Sequence, residues 1–304
     1  MIFDAHSDTM YEVMKQGCSF RRNNLHIDME RLKEYGEYIQ VFAAFVDTDK
    51  ITCTPKEHVD KIISAYMEET EKNGINRCKN VADIKCGKIN SILSIEGGET
   101  LMGSLENLEE YAEKGVKIIT LTWNHNNEIS HSITSDKGLG LTAFGKKLVK
   151  EMNKKGIIID LSHISVQGFW DTLAITEKPV IASHSCVKSL CNHPRNLEDE
   201  QIKAIIKNRG VIGVNFYADF LSEENCTTDK ILEHIDYIIA SGGEENVGLG
   251  SDFDGMERLP EGMTGIESMK NLTEAIYKKY GKEVGEKIVF GNFLRVLKEN
   301  SANL

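Results

Sequence analysis

Apolar residues along the chain fall in two rhythms. Short, nearly continuous runs occur at 1–3, 38–45, 89–95, 116–122, 156–161, 178–183, 210–216 and 246–251, with the length and composition of strands buried on both faces. Between them lie stretches with helical spacing, at 55–74, 104–115, 142–156, 197–210 and 227–243, several closing on Lys, Asn and Gly as helix ends do. Alternating strand and helix implies parallel strands joined by crossover helices. Eight such units predict a closed (β/α)8 TIM barrel, although an open doubly wound sheet gives a similar pattern. No linker-like Gly/Ser stretch or low-complexity tract divides the chain, so residues 1–304 read as a single domain.

The polar residues that interrupt this pattern favour the barrel. His6 and Asp8 follow the first run, Glu96 closes the third, His163 the fifth, His184 the sixth and Asp252 the eighth. In a barrel the C-terminal strand ends share one rim, which brings such distant residues to a common mouth; an open sheet would scatter them along an edge. Taken singly, each has a plainer explanation. A His after a strand is commonly a hydrogen-bonded structural residue, and the DFDG of 252–255 is a good turn, with Asp bonding to the backbone and Gly255 taking positive φ. Six metal-competent side chains at the ends of five predicted strands are harder to explain as independent turns. Several carboxylates in one mouth need cations to neutralise them. His26, His58 and His234 lie away from strand ends and read as surface or core residues, while His125 and His131 follow the fourth run and are ambiguous.

Composition narrows the partners. A hydrophobic fraction of 40% with 27% charged residues suits a soluble globular protein with a large core. A formal net charge of -11 repels phosphate backbones and anionic lipid, so neither nucleic acid nor membrane is expected as a partner. No basic and apolar leader opens the sequence and no run of about 18 apolar residues occurs, which predicts a cytoplasmic protein. The seven cysteines contain no C-x-x-C pair and are expected as reduced thiols. A homodimer is the default assembly.

Imidazole and carboxylate ligands without thiolate suit Zn²⁺, with Mn²⁺, Co²⁺ or Fe²⁺ as substitutes. Four terminal ligands and one carboxylate able to bridge suggest two ions, holding a hydroxide between them and polarising the carbonyl it attacks. The expected reaction is metal-assisted hydrolysis. Asp252, without an obvious ligand partner, is assigned as the general acid/base that takes a proton from the attacking water and returns it to the leaving amine.

The residues that carry this chemistry also carry a resemblance. His6-Ser7-Asp8, SIEGG around Glu96, IDLSH ending at His163, PVIASHS around His184, HPRNL around Arg195, VNFY at 214–217 and GSDFDG around Asp252 are similar, in order and over nearly the whole chain, to the renal (membrane) dipeptidase family, peptidase family M19 of the amidohydrolase-type barrels. The resemblance implies a dipeptidase with two zinc ions per chain. His6, Asp8 and Glu96 would hold one zinc, His163 and His184 the other, and Glu96 would bridge. It implies that Arg195 grips the dipeptide's C-terminal carboxylate, that Tyr217 lines either the pocket or the core, and that a D-residue is tolerated at the C-terminal position. Hydrolysis of an N-acyl amino acid or a lactam, or a barrel that keeps its metals without turnover, are the alternatives. One departure stands out: where the family often has a histidine after the fourth-strand motif to stabilise the oxyanion, this chain has Trp123, with His125 two residues later. Either His125 reaches the mouth by a changed loop path, or the oxyanion is stabilised mainly by metal, with a different rate or substrate range. Cys191 and Cys226 stand where secreted relatives carry a bridge, and are expected as thiols here.

Overall fold

The computed structural model describes residues 1–135 and 137–301. Eight parallel strands, β1 (Ile2–Asp4), β2 (Tyr38–Phe45), β3 (Ile89–Glu96), β4 (Val116–Thr120), β5 (Ile158–Asp160), β6 (Ile181–Ala182), β7 (Val211–Val214) and β8 (Val247–Leu249), pair each with the next. A final pairing of Asp4 with Leu249 joins β8 to β1 and closes the barrel. The eight strands are those the apolar runs predict, and closure excludes the open sheet. A two-residue strand, Asn76–Arg77, adds itself beside the start of β3.

The predicted helices form where the sequence punctuates them. Pro55–Lys72 starts on a reciprocal cap between Thr54 and Glu57, with Pro55 at the first helical position where its missing N–H is not needed. Leu105–Lys114 and Ala143–Lys155 open on Ser104 and Thr142 caps and end on the left-handed Gly115 and Gly156. Asp199–Lys207 and Asp229–Ala240 follow β6 and β7. Further helices at Thr9–Gln16, Val166–Ile175, Met269–Glu286 and Asn292–Glu299 complete the ring. Among the described residues no helix is long and apolar enough to cross a membrane.

Inside the strands, Phe3, Ile39, Val41, Ile92, Ile118, Ile158, Ile181 and Val211 form one cluster, drawn from seven of the eight strands. The eighth contributes Gly248, where a Cβ would sit 2.6 Å from Phe293. That gap admits Phe293, which stacks on Phe3 at 5.1 Å, and with Val296 and Leu297 the C-terminal helix packs into the same cluster. The apolar filling therefore lies towards the N-terminal strand ends, and polar side chains occupy the other end. There Gly213 and Gly250 matter for space: a Cβ on either would meet the Ser183 carbonyl at 2.1 or 1.8 Å. Their lack of a side chain lets the backbone of β6 pass inward and carry His184 with it.

Candidate metal centre

All six strand-end residues reach the same mouth, and all are buried. His6 leaves the end of β1, and Asp8 is the residue on which helix Thr9–Gln16 starts. Glu96 is the last residue of β3. His163, His184 and Asp252 follow β5, β6 and β8 by two or three positions. His163 and Asp252 hold φ of 68° and 61°, a region that residues with a Cβ seldom adopt. Such strain persists only where surrounding contacts enforce it, and here it turns both side chains into the opening. Asp254 is also left-handed, at 68°, whereas Gly255 is not. The glycine of DFDG thus serves a different purpose from the turn expected of it: a Cβ there would lie 2.1 Å from Asp8 Oδ2 and 2.5 Å from Asp252 Oδ1.

Glu96 stands at the centre. Its Oε1 lies 3.1 Å from His163 Nε2 and 3.4 Å from His184 Nε2, and its Oε2 lies 3.3 Å from His6 Nε2. His6 Nε2 is also 3.5 Å from Asp8 Oδ2 and 3.9 Å from Asp252 Oδ1. Burial opposes ionisation of Glu96, yet the neighbouring imidazoles, the His6 charge above all, hold its carboxyl well below the usual range. Burial likewise opposes charge on His6, but Glu96 and Asp8 keep it well above the ordinary histidine value. Asp8 goes the other way, pushed up to about 7 by burial and by the Glu96 charge. His163 is driven well below its usual value by burial and by Arg195.

The donor set fits cations. His163 Nδ1 lies 2.9 Å from Asn124 Oδ1, and His184 Nδ1 lies 2.8 Å from Ser183 Oγ, whose own hydrogen is directed to Asp160 Oδ2 at 2.5 Å. Both rings therefore carry their proton on Nδ1 and turn bare Nε2 lone pairs toward each other, 2.9 Å apart. Two lone pairs at that distance repel unless a positive centre lies beside them. Asp8 Oδ1 is buried without a hydrogen-bond partner among the described residues, which adds to the same demand. His6, Glu96 and His184 form one group able to hold an ion, and His6, Asp8 and Asp252 another.

Around these residues the mouth opens into a cavity of about 870 Å³. Arg195 lies along it, buried, with Nε and Nη2 lacking a hydrogen-bond partner among the described residues and its charge centre 5.5 Å from the Phe220 ring. Burial brings its pKa down to about 10. Tyr217 lines the cavity and packs edge-on against Phe220 at 4.9 Å. Trp123 also lines it, 4.9 Å from Phe45 and 6.2 Å from His163 between ring centres. His125 is not among the lining residues; its Nε2 faces Asp47 and Asp49 at 3.5 and 3.6 Å. The changed loop path that would bring His125 into the mouth is not the one adopted, because those two carboxylates hold the ring at the rim.

Some participants escaped the strand-end reading. Asn124, Ser183 and Asn215 orient His163, His184 and Asp252 respectively, the last through a 2.9 Å bond to Asp252 Oδ2. His58 lines the cavity from its helix, against Tyr11. The other two control histidines stay outside the mouth: His234 is fully buried between the Val187 amide and the Leu221 carbonyl, and His26 accepts from the Asp254 amide. The cysteines among the described residues are free thiols.

Comparison with known proteins assigns the family and the fold. A family model described as membrane dipeptidase (peptidase family M19) matches residues 1–303. An uncharacterized dipeptidase, C965.12, of Schizosaccharomyces pombe is 32% identical over 314 residues, covering 91% of this chain and 74% of its own. A protein encoded in the pqqA 5' region of Klebsiella pneumoniae is 36% identical over 237 residues, covering 73% and 87%. Among solved structures, the metallopeptidase named dipeptidase AC superposes with a TM-score of 0.89 at 24% identity, over 99% of both chains. A Rhodobacter sphaeroides metallopeptidase, liganded with a phosphinate mimic of L-Ala-D-Ala, gives 0.89 at 24% identity over 98% and 99%. At that identity the two structures speak to the fold, which they share.

Proposed function

Because the chain belongs to the membrane dipeptidase family, peptidase family M19, and is a metallo-dipeptidase that hydrolyses peptide bonds, we propose that it works with two zinc ions in one hydrolase domain spanning residues 1–304. Glu96 would bridge, with His6 and Asp8 on one ion and His163 and His184 on the other. Mn²⁺ or Co²⁺ would substitute. The observation that supports this most is the convergence of His6, His163 and His184 Nε2 on the two oxygens of a single buried carboxylate, at 3.1 to 3.4 Å. Divalent ions held there supply acidity, bringing the pKa of a water towards ~7 and polarising a carbonyl.

The protein's own groups do the remainder. Asp252, held by the Asn215 amide on Oδ2, leaves Oδ1 free to accept a proton from the attacking water and to return it to the departing amine. Arg195 supplies two unpartnered donors to a substrate carboxylate, in a place dry enough to make that pairing strong. Phe220, Tyr217, Phe45 and Trp123 line the walls and limit water around the scissile bond. A free carboxylate at one end, facing the two Arg195 donors, suits a dipeptide, with either configuration tolerated at its C-terminal residue. The test is a dipeptide panel including L-Ala-D-Ala, with zinc content measured on the same sample. Turnover that rises with zinc to two ions per chain supports the reading; hydrolysis of N-acyl amino acids without any dipeptide would overturn it.

A further inference from the structure

We propose that Asp160 and Ser183 form a relay that orients the His184 ring and sets the affinity of the imidazole-rich half of the centre. This rests on the reading of His184 as a ligand, and it assigns work to two residues that touch neither metal nor substrate. Asp160 is the last residue of β5 and is wholly buried. Its Oδ1 accepts from the amides of Ser162, at 3.1 Å, and Ser183, at 2.9 Å; its Oδ2 accepts from Thr120 Oγ1, at 2.7 Å, and Ser183 Oγ, at 2.5 Å. Donors from β4 and from the segments leaving β5 and β6 therefore fix this carboxylate on every side.

The consequence passes outward in one direction. Ser183 has a single hydroxyl hydrogen, and Asp160 Oδ2 takes it. Towards His184 Nδ1, 2.8 Å away, the serine can only accept. His184 must then carry its hydrogen on Nδ1 and keep the Nε2 lone pair facing Glu96 and His163. With the relay broken, the neutral ring is free to take the other tautomer, whose Nε2–H blocks a metal bond, or to swing about its χ2. Outer partners of this kind change metal affinity by ~10–100-fold when removed. Asp160 and Ser183 are thus positioning residues, through which the packing of three strands reaches one ligand.

The experiment uses the zinc-loaded, full-length chain. In Ser183→Ala one of the two zinc ions should pass to a competing chelator at ~10–100-fold lower chelator strength, and Ser183→Thr, which keeps the hydroxyl, should restore retention. Proton–nitrogen spectra give a second readout. The wild type should show an exchange-protected Nδ1–H signal that disappears in His184→Gln, is lost in Ser183→Ala and persists in Ser183→Thr. Zinc retention and ring signal both unchanged in Ser183→Ala would overturn the relay. So would the lack of any protected signal in the wild type, a measurement that needs no variant to fold. Zinc retained in full by His184→Gln would instead overturn the reading of His184 as a ligand.

Discussion

The two ends of the barrel both bury charge, and they treat it in opposite ways. At the N-terminal end Lys117 is buried, as the residues of the mouth are, but its ammonium is capped by the carbonyls of Gly156 and Asn300, and neighbouring Lys178 reaches the carbonyl of Ser301. At the C-terminal end His6 Nε2, Asp8 Oδ1 and two nitrogens of Arg195 have no hydrogen-bond partner among the described residues. Buried polar atoms in folded proteins are nearly always paired. A charge satisfied from within ties elements together; a charge left open, in a cavity, is kept for something that arrives from outside. The floor therefore reads as construction and the mouth as chemistry, although the same residue types occur in both.

Four substitutions would sharpen or break that contrast. The largest effect is expected from Glu96→Gln, which removes the carboxylate shared by three imidazoles: turnover should fall by ~10³-fold or more, several kcal/mol of transition-state stabilisation, with loss of metal seen by atomic emission. Asp252→Asn should lower kcat by ~10²–10⁴-fold while metal content stays intact; metal lost in parallel would make Asp252 a ligand instead of a base. Arg195→Ala should weaken use of dipeptides by ~2–4 kcal/mol, chiefly as a raised KM, and an unchanged KM would remove it from the substrate.

The smallest effect belongs to the floor. Lys117→Met should leave kcat and KM alone at neutral pH and change only stability and how it depends on pH. Burial pushes the Lys117 pKa down to about 8 from 10.5. Between those values the unfolded chain holds a proton that the folded chain has released, so this group makes stability rise with pH across that window, and its penalty is greatest below pH 8. Urea unfolding at pH 7.5 and pH 10 should show a smaller rise in the variant than in the wild type. A loss of activity in Lys117→Met would erase the distinction between the two ends.

Much of this was legible before any coordinates. The strand runs are short and nearly uniformly apolar because both faces are buried, and a His, Asp or Glu that ends such a run is conspicuous; the six strand-end residues stand out for that reason. Other features leave no trace in local pattern. Helix Thr9–Gln16 is eight residues long and its starting Asp8 makes no side-chain cap, so the usual start signal is missing. Helix Val166–Ile175 carries a glycine and few charges, which blurs its period, although its Ser165 cap is real. The spatial role of Gly255 depends on where Asp8 and Asp252 come to rest, some 245 positions apart. Asn124 and Ser183 look like ordinary polar residues until the imidazoles beside them are placed. His125 was drawn outward by Asp47 and Asp49, two acids in a different loop that no spacing argument connects to it.

The seam where β8 meets β1 has a further consequence. A single register pair, Asp4 with Leu249, joins the two strands, reinforced by the Ser251 amide and hydroxyl on the Asp4 carboxylate at 2.8 and 2.5 Å. These partners lie 247 positions apart. During translation the ribosome will have made His6 and Asp8 first and must still deliver nearly the whole polypeptide before Asp252 can join them. A nascent chain stalled short of Val247 holds every imidazole yet lacks the closing stave, so the mouth is completed only late in synthesis.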